Sequence, residues 1–361
     1  MKSKALKKIG LISLITLGAL LLIVISYVLY VIISYHRIDD NQVLEVKECE
    51  NTDRVKLDTQ YTIITQNLGF GAYTRDFTFF MDGGKESVAR SKESVYSCIN
   101  TGIDKVLEYD PDFLLLQEID IKSTRTYKIN QYEHISNRLS DYSNIYAVNY
   151  DSAFLFWPLI KPHGKSYSCM VTYSKYNITS AIRRSLPISD SLSKLVDVDR
   201  CYSVSRTPTE NGKELVIYNV HSSAYGGSDD IRTAQMTMLM NDMKSEYDKG
   251  NYVVCGGDFN HDFTGTSTKD LNGGGDVDFG WAQPFPDHLI PDGITKCVNY
   301  KDGEINPSCR NCDIPYEEGN FTIIVDGFFV SDNVECVMVE NIVTGFEYSD
   351  HNPVVMSFKL K

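Results

Sequence analysis

The feature that most constrains this chain is a run of 27 consecutive residues without a charged side chain, from Ile9 to Tyr35. A helix needs about 20 apolar residues to cross the hydrocarbon core of a bilayer, so this run can span it with some tilt. A cleavable signal peptide has a shorter apolar region, of about 7–15 residues, followed by a small-x-small cleavage site. Because the run has neither property, it predicts one transmembrane helix over residues 9–35.

The charges on either side of this helix indicate its orientation. Four lysines lie among the first eight residues, whereas acidic and basic residues are mixed directly after the helix. By the positive-inside rule, residues 1–8 are predicted to be a cytoplasmic tail, and the rest of the chain is predicted to lie outside the cell membrane. Residues 36–59 are polar and charged and predict a stalk. Residues 60–361 predict a single domain.

The charge balance limits the partners of this domain. The chain has 48 acidic and 35 basic residues, a formal net charge of -13. Such an acidic protein is a poor match for one that holds nucleic acid by charge alone. It remains compatible with an enzyme that meets phosphate groups through a divalent cation, because the cation reverses the local sign of the charge.

Nine cysteines are an odd number, so they cannot all pair within one chain. The one cluster is formed by Cys297, Cys309 and Cys312, in a loop rich in Pro, Gly and Asn. It lacks a second pair of ligands at zinc-finger spacing, which argues against a structural zinc. A disulfide and free thiols both remain compatible with this cluster.

Short apolar segments bounded by Gly, Asn, Asp or Pro recur after residue 60 and predict strands. The predicted strands are Tyr61–Asn67, Phe113–Ile119, Ser168–Ser174, Leu215–His221, Tyr252–Gly256, Thr322–Val330, Val334–Val339 and Val354–Leu360. Helix-like spacing of apolar residues predicts helices over Ser87–Glu108, Gln131–Leu139 and Ile231–Tyr247. Strands outnumber helices without strict β–α alternation, which favours two packed sheets with helices outside them.

Several of these strands end in polar residues suited to metal-assisted chemistry. Strand ends supply Asn67, Glu118, His221, Asp258 and Asn260; the segment TIIVDG supplies Asp326, and Asp350 and His351 directly precede the last strand. Each alone has an ordinary explanation as a turn residue, but unpaired carboxylates after apolar strands are costly unless they are used. The two-residue period of a strand predicts that Asp258 and Asn260 share one face. Carboxylate and amide oxygens suit Mg²⁺ or Mn²⁺ better than zinc.

The segments QNLG, LLLQEID, YNVHSSA, GGDFN, VDGFFVS and SDHNPV occur in this order. In this respect the chain resembles the endonuclease/exonuclease/phosphatase superfamily. That superfamily includes deoxyribonuclease-like nucleases, apurinic-site endonucleases, inositol polyphosphate 5-phosphatases and bacterial sphingomyelinases. The resemblance extends over Tyr61–Lys361, and GDFN and SDHNP are its most specific parts. It implies an α/β fold, a four-layer α/β/β/α sandwich with these residues at one edge of the two sheets.

The resemblance also implies the ligands of a cation. Asn67 and Glu118 match the principal metal-binding positions of the family, and Asp350 matches an acid that adds a metal contact. The expected cofactor is Mg²⁺ or Mn²⁺, which would neutralise the phosphate and the leaving oxygen.

The remaining motif residues match catalytic positions of the family. Asp258 and Asn260 match the pair that orients the attacking water and contacts the phosphate. His221 and His351 match two histidines that flank the phosphate, one stabilising its charge and the other transferring a proton. Asp326 matches the carboxylate that fixes the tautomer of His351.

Two other segments carry candidate substrate contacts. Arg125 and Tyr127 follow Glu118 closely and predict a grip on a second phosphate or a headgroup, although a solvated loop explains them equally well. The aromatic segment Tyr73–Met81 predicts a pocket wall, a lipid contact or an ordinary packed loop. The strand at Tyr167–Ser174 lacks the acidic chemistry that nuclease members often carry there.

These observations predict a membrane-tethered, Mg²⁺-dependent phosphoesterase that adds water across a P–O bond. Its candidate substrates are a lipid headgroup, a nucleic acid or an inositol phosphate. An extracellular DNA endonuclease is one alternative, and a catalytically inactive binding module on the same scaffold is another. The lipid bilayer is expected as a partner through the N-terminal helix, and no obligate protein partner is inferred.

Overall fold

The computed structural model describes residues 2–195, 197–223, 229–274 and 280–361. Its first element is helix α1, Lys2–Ser34. The segment Lys4–Ser34 has a mean hydropathy of 2.7 over its best window, and none of that window is buried against the rest of the chain. The apolar helix predicted near the N-terminus is therefore confirmed as a candidate membrane span.

The described residues after α1 form four helices and fifteen strands. The helices are α2 (Lys92–Leu107), α3 (Gln131–Arg138), α4 (Asp229–Asp248) and α5 (Ser267–Asp270). The strands are β1 (Gln42–Val43), β2 (Gln60–Asn67), β3 (Phe113–Asp120), β4 (Ser143–Asp151), β5 (Tyr167–Ser174), β6 (Ser180–Ser185), β7 (Cys201–Pro208), β8 (Glu214–His221), β9 (Tyr252–Asp258), β10 (Ile294–Lys296), β11 (Cys309–Arg310), β12 (Thr322–Ile323), β13 (Asp326–Ser331), β14 (Val334–Asn341) and β15 (Val354–Leu360).

Two large sheets make up the body. One has the strand order β1-β6-β7-β8-β9-β13-β10, and the other has the order β14-β15-β2-β3-β5-β4. Each sheet contains one parallel pair near its middle, β8 with β9 and β2 with β3, and its other pairs are antiparallel. Because parallel strands end on the same side, each sheet brings two strand ends together at one edge.

The inner faces of the sheets pack on each other to form the central core. Ile63 and Leu115 of one sheet lie in the same buried cluster as Ile217, Val254 and Phe328 of the other. These β-branched and aromatic side chains suit the alternating faces of a strand. Their burial is the main force that holds the two sheets together.

Helices cover the outer faces and complete four layers. Val95, Ile99 and Ile103 of α2 are buried against the six-stranded sheet. On the other side, Met236 and Met240 of α4 are buried against the seven-stranded sheet. The predicted four-layer α/β/β/α sandwich is confirmed, and the methionines of α4 are core residues.

One predicted strand is divided in the structure. Residues 322–330 form β12 and β13, separated by Ile324 and Val325. Here the backbone bonds to serine side chains and leaves the ladder: Ile324 N donates to Ser267 Oγ at 3.0 Å, and Val325 N donates to Ser308 Oγ at 2.9 Å. Side-chain acceptors of this kind compete with sheet hydrogen bonds, which ends one strand and starts another.

Residues 36–59, predicted to be a stalk, lie against the body. Gln42 and Val43 add an edge strand to β6, Lys47 bridges to Asn144 of β4, and Val55 N donates to Pro208 O at 3.0 Å. Edge strands present unpaired backbone groups, and this segment satisfies some of them on both sheets. The division of the chain at residue 60 stays a prediction.

The nine cysteines are all free thiols. Cys309 and Cys312 are buried, and neither is bonded to Cys297. The structure therefore shows the thiol form of this cluster.

A buried carboxylate on α4 gives a stability prediction. Glu246 accepts hydrogen bonds from Arg206 at 2.8 and 2.9 Å, from Lys249 at 2.7 Å and from Asn251 at 2.8 Å. Burial by itself would raise the pKa of Glu246, but these donors lower it to about 2. Since the folded pKa lies below the unfolded value, this contribution to stability is present above about pH 4.5 and is lost as the pH falls toward 2.

We therefore expect Glu246→Gln to reduce the free energy of unfolding at pH 7 by about 1.5–3 kcal/mol, the range for hydrogen bonds to charged groups. Denaturant unfolding of the chain in detergent measures this, and the difference should shrink below pH 4.5. Glu108→Gln, at an exposed pair with Lys105, is the matched control and should change little. A Glu246→Gln penalty that does not depend on pH would contradict the assignment.

Candidate active site

Three of the predicted site residues lie in a row across neighbouring strands of the seven-stranded sheet. His221 of β8 is opposite Asp258 of β9, and Asp258 is opposite Asp326 of β13. Cys201 of β7 extends the row on the other side of His221. Directly paired residues have their side chains on the same face of a sheet, so this register groups the three polar side chains.

The other sheet contributes Asn67 and Glu118 from the ends of its parallel pair. Asn67 Nδ2 lies 3.2 Å from Glu118 Oε1 and 3.2 Å from Asp258 Oδ2, so it donates to carboxylates of both sheets. Glu118 has a φ of 57° at a register shift between Leu116 and Ile119. Such a bulge redirects a side chain at the edge of a sheet, here toward Asn67.

Asp258 and Asn260 come together through a turn. The strand ends at Asp258, and Asn260 has a φ of 49°. Asp258 Oδ1 accepts a hydrogen bond from Asn260 N at 2.9 Å, and Asn260 Nδ2 donates to Ser222 O at 3.0 Å. The prediction that strand periodicity aligns them was wrong, because Asn260 lies beyond the strand in a left-handed conformation, yet both residues line the same cavity.

His351 is held by Asp326. His351 Nδ1 donates to Asp326 Oδ2 at 2.8 Å, and Ser308 Oγ donates to the same carboxylate oxygen at 2.8 Å. Burial by itself would lower the pKa of His351, but the negative charge of Asp326, assisted by that of Asp258, raises it well above 6.5. The imidazole therefore carries both protons, and its Nε2 lies 3.9 Å from Asp258 Oδ2.

His221 is in the opposite state. Burial lowers its pKa well below 6.5, and the positive charges of Arg200, His351 and Arg125 lower it further. Asn149 Nδ2 lies 3.4 Å from His221 Nδ1, which leaves the proton of the neutral ring on Nε2. This Nε2 lies 3.6 Å from Asp258 Oδ2. Two histidines in opposite protonation states beside one carboxylate can perform different roles.

The donor set at the sheet edge fits a divalent cation. Burial raises the pKa of Asp258 to about 7 and that of Asp350 to about 6, and Glu118 is a third carboxylate in the same cavity. Like charges in a desolvated site repel, and a hard cation with oxygen ligands offsets that repulsion. Gly69 keeps room for this group, since a Cβ there would lie 2.6 Å from Asp350 Oδ1.

A second grouping of possible ligands serves another purpose. Ligand atoms of Asp258, Asp326 and His351 lie within 4.8 Å of one another. However, the Nδ1 of His351 is engaged by Asp326 at 2.8 Å, so this nitrogen is not free to bind a metal. The oxygens of Glu118 and its neighbours are the better cation ligands, and the His351–Asp326 pair is suited to proton transfer.

These groups surround a cavity of about 280 Å³. Seven of the eight predicted strand-end residues line it: Asn67, Glu118, His221, Asp258, Asn260, Asp350 and His351. Asp326 lies behind His351. The Asp350–Asn352 backbone is held in place by residues 308–310, because Arg310 N donates to Asp350 O at 3.0 Å and Asn352 N donates to Ser308 O at 2.7 Å.

Of the two predicted substrate contacts, the structure brings only Arg125 to the cavity. Arg125 Nε and Nη2 each donate to Asp120 at 3.0 Å, and its guanidinium lies 3.8 Å from the centre of the Phe70 ring. Tyr127 is outside the cavity, where its hydroxyl donates to Ala89 O at 2.8 Å. The backbone turns away after Arg125, since Tyr127 has a φ of 56°.

The aromatic segment forms part of the cavity wall. Tyr73 and Phe79 line the cavity together with Met81, and Phe77 is fully buried behind them. The rings of Tyr73 and Phe77 contact edge to face, with centroids 4.9 Å apart. Because its rings are packed on one another and line the cavity, the structure favours the pocket-wall alternative for this segment.

Sequence reasoning missed Arg200, which also lines the cavity. Its side chain is buried, and in the described parts of the chain its Nε and Nη1 have no hydrogen-bond acceptor. Arg200 directly precedes Cys201, the first residue of β7, which is paired with His221. Buried guanidinium nitrogens without an acceptor are costly, which makes this residue a candidate anion-binding group.

Comparison with known proteins is consistent with this geometry. A sequence profile described as the Endonuclease/Exonuclease/phosphatase family matches residues 101–351. No curated protein sequence matches the chain.

Solved structures of similar fold include an endonuclease/exonuclease/phosphatase from Beutenbergia cavernae DSM 12333, with 13% identity, a TM-score of 0.55, and coverage of 83% of this chain and 72% of that one. The endonuclease/exonuclease/phosphatase from Bacteroides vulgatus has 16% identity, a TM-score of 0.53, and coverage of 84% and 100%. ANGEL2, a 2′,3′-cyclic phosphatase, has 15% identity, a TM-score of 0.53, and coverage of 90% and 99%.

At such identities the structural likeness establishes the fold alone. The profile covers more than half of the chain and includes the strand ends that carry Glu118, His221, Asp258 and Asp326. The structure adds Asn67, which lies before the matched range, to the same cavity. The chain therefore belongs to the endonuclease/exonuclease/phosphatase family, whose members are metal-dependent enzymes that act on phosphoester bonds.

Proposed function

We propose that this enzyme is tethered to the cell membrane by α1, with its body outside, and hydrolyses a phosphoester by Mg²⁺- or Mn²⁺-assisted attack of water. One observation carries the catalytic part of this proposal. Asp258 Oδ2 lies between the Nε2 atoms of the neutral His221 and the protonated His351, at 3.6 and 3.9 Å. A phosphate bound beside Asp258 would meet the neutral N–H of His221 and the charged N–H of His351.

Each side chain has a distinct part in the reaction. The Asp258 carboxylate and the Asn260 amide would hold the attacking water between them, and the carboxylate would take up the proton that this water loses as its oxygen bonds to phosphorus. His221 donates its Nε2 proton to a non-bridging phosphate oxygen, which stabilises the charge that develops there. His351, kept protonated by Asp326, would give its Nε2 proton to the leaving oxygen as the P–O bond breaks.

Glu118, Asn67 and Asp350 are the residues that would hold the cation. When bound, Mg²⁺ or Mn²⁺ neutralises the phosphate and stabilises the leaving oxygen. Asn67 Oδ1 already accepts a hydrogen bond from Gly69 N at 2.9 Å, which fixes the orientation of the amide. The acidic site depends on this added positive charge to receive an anionic substrate.

Arg200 indicates that the substrate carries an anionic group. This group would be bound by Arg200, apart from the contacts that the catalytic side chains make. It lies close enough to His221 to lower the pKa of that histidine. An arginine fork matches the geometry of a phosphate oxygen pair, so we assign Arg200 to substrate binding. Arg125 is committed to Asp120 through two of its nitrogens and shapes the neighbouring wall.

The metal requirement tests this function. The full chain, purified in detergent, should release p-nitrophenol from bis-p-nitrophenyl phosphate or from p-nitrophenyl phosphate. We expect excess chelator to abolish this release and added Mg²⁺ or Mn²⁺ to restore it, because the carboxylates of the cavity cannot receive the phosphate unaided. Undiminished turnover in excess chelator would overturn the proposal. Parallel assays with DNA, phospholipid vesicles and inositol phosphates identify the substrate class.

A further inference from the structure

The loop between β4 and β5 exposes an unusual number of apolar side chains. Phe156, Trp157, Leu159 and Ile160 are 55%, 64%, 78% and 96% exposed. Single exposed apolar residues are common on protein surfaces, but a contiguous group of large ones marks a contact with another apolar body. We call residues Phe154–Ile160 the apolar loop.

Hydrogen bonds at the base of this loop hold its apolar side chains in their exposed position. Leu155 and Gly164 exchange two backbone hydrogen bonds, at 3.1 and 3.0 Å. His163 N donates to Trp157 O at 3.0 Å. These bonds hold the ends of the loop together, so its apolar tip projects from the body instead of folding back onto it.

The apolar loop is attached to the candidate membrane helix. The Tyr27 hydroxyl of α1 donates to Phe154 O and accepts from Phe156 N, both at 3.2 Å. The Tyr30 hydroxyl accepts from Phe154 N at 3.0 Å. The rings of Tyr27 and Phe156 also meet edge to face, with centroids 5.3 Å apart. The loop therefore lies at the level of these two tyrosines.

A span that begins at Ile9 and crosses the hydrocarbon core without tilt brings this level to the surface of a bilayer, with about the last seven residues of the 27-residue uncharged run beyond the core. About 20 residues cross the hydrocarbon core. Counted from Ile9, the first residue after the N-terminal lysines, a span of this length ends near Val28, between Tyr27 and Tyr30. Tyrosine is enriched at that boundary, where its ring is in the apolar region and its hydroxyl is in the polar one. The exposed Lys161 follows the loop, as suits contact with anionic headgroups.

The same loop is connected to the catalytic cavity at both ends. Tyr150, at the end of β4, and His163, after the apolar tip, both line that cavity. Burial in the interface would consequently fix the position of the cavity relative to the membrane.

We propose that the apolar loop inserts into the interface of the bilayer that α1 spans and holds the catalytic cavity beside the lipid headgroups. The substrate that this arrangement serves is a phosphoester in a lipid headgroup. The insertion stands on the loop and on α1, whereas the substrate assignment rests on the proposed function above.

Fluorescence can test the insertion without any catalysis, since the chain has only two tryptophans. The full chain is reconstituted into vesicles whose phospholipids carry bromine at shallow acyl positions. In the Trp281→Phe variant the emission comes from Trp157, and we expect it to lose most of its intensity relative to unbrominated vesicles. The Trp157→Phe variant reports on Trp281, in the cavity wall, as the matched control. Its emission should be retained.

Unquenched Trp157 emission in the reconstituted chain would overturn the proposal and leave the loop for a protein partner. The substrate part is tested with the double change Phe156→Ser and Trp157→Ser. We expect its hydrolysis of vesicle phospholipid to fall at least tenfold. Its turnover of bis-p-nitrophenyl phosphate should be retained, since these residues lie outside the cavity wall.

Val298→Ser is the control for this variant, because it removes a half-exposed apolar residue after β10, at the other end of the seven-stranded sheet from β1. It should leave both rates unchanged. Equal rates on vesicles for the wild type and the double variant would overturn the lipid-substrate assignment. Inactivity of the wild type on both substrates would count against the proposed function instead, since quenching of Trp157 does not depend on turnover.

Discussion

Replacing His351 with alanine is expected to lower kcat by roughly 10²–10⁴-fold, the range of a positioned acid–base group. His351 is protonated because it faces Asp326 in a buried site, so its loss removes a charged donor that no neighbour replaces. Steady-state kinetics with bis-p-nitrophenyl phosphate measure the effect. His288→Ala, at an exposed histidine outside the cavity, is the control and should keep wild-type activity.

The pairing with Asp326 makes this prediction sharper. Asp326→Asn keeps the shape of the side chain but removes the charge that raises the pKa of His351. Because the two residues act as a unit, Asp326→Asn combined with His351→Ala should cost little more than His351→Ala alone. Independent, multiplicative losses would show that the two side chains do not work together. Cation affinity should barely change in these variants.

The second large effect is expected at Glu118. Glu118→Gln keeps the length of the side chain but removes a carboxylate from the cation site. Since loss of even an outer partner of a metal costs roughly 10–100-fold in affinity, we expect loss of this carboxylate to weaken Mg²⁺ binding by about 10-fold or more. Titration calorimetry measures the affinity, and activity should recover partly at high Mg²⁺ concentration.

Glu133→Gln, at an exposed acid of α3, is the matched control for Glu118 and should bind Mg²⁺ as the wild type does. An unchanged Mg²⁺ affinity in Glu118→Gln would place the cation elsewhere in the cavity.

Much of this site could be predicted from the sequence, for a physical reason. Catalytic residues that follow buried strands interrupt an apolar pattern, and the order of those interruptions is retained in the chain. That signal placed Asn67, Glu118, His221 and Asp258 at strand ends, and the structure brings all four to one cavity. The layered architecture followed from the excess of strands over helices.

Other features depend on contacts between distant residues, which local patterns do not contain. Arg200 gave no signal, because it reaches the cavity only in the folded chain, where Cys201 after it pairs with His221. Asn260 reached the site through a left-handed turn, and Tyr127 was directed away from it by another. The edge strand at Gln42–Val43 looked like a polar linker, since pairing with β6 makes no demand on its side chains.

The exposure of the apolar loop is another feature that could not be predicted from the sequence. The run at 154–160 is short enough to be taken for a strand or a core segment, and only the structure shows that its side chains are exposed next to Tyr27. The exposure of a segment cannot be derived from its hydrophobicity, because most apolar runs of this length are buried. Its contact with α1 then supplies the reason for the exposure.

We propose above all that the turn formed by Asp258 and Asn260 directs a water molecule to the phosphorus atom of a phosphoester. Hydrolysis in ¹⁸O-labelled water, followed by mass spectrometry of both products, tests this most directly. We expect one labelled oxygen in the phosphate-containing product and none in the released alcohol. Label in the alcohol would mean that water attacks carbon, and it would contradict the role that the geometry gives to His221, Asp258 and His351.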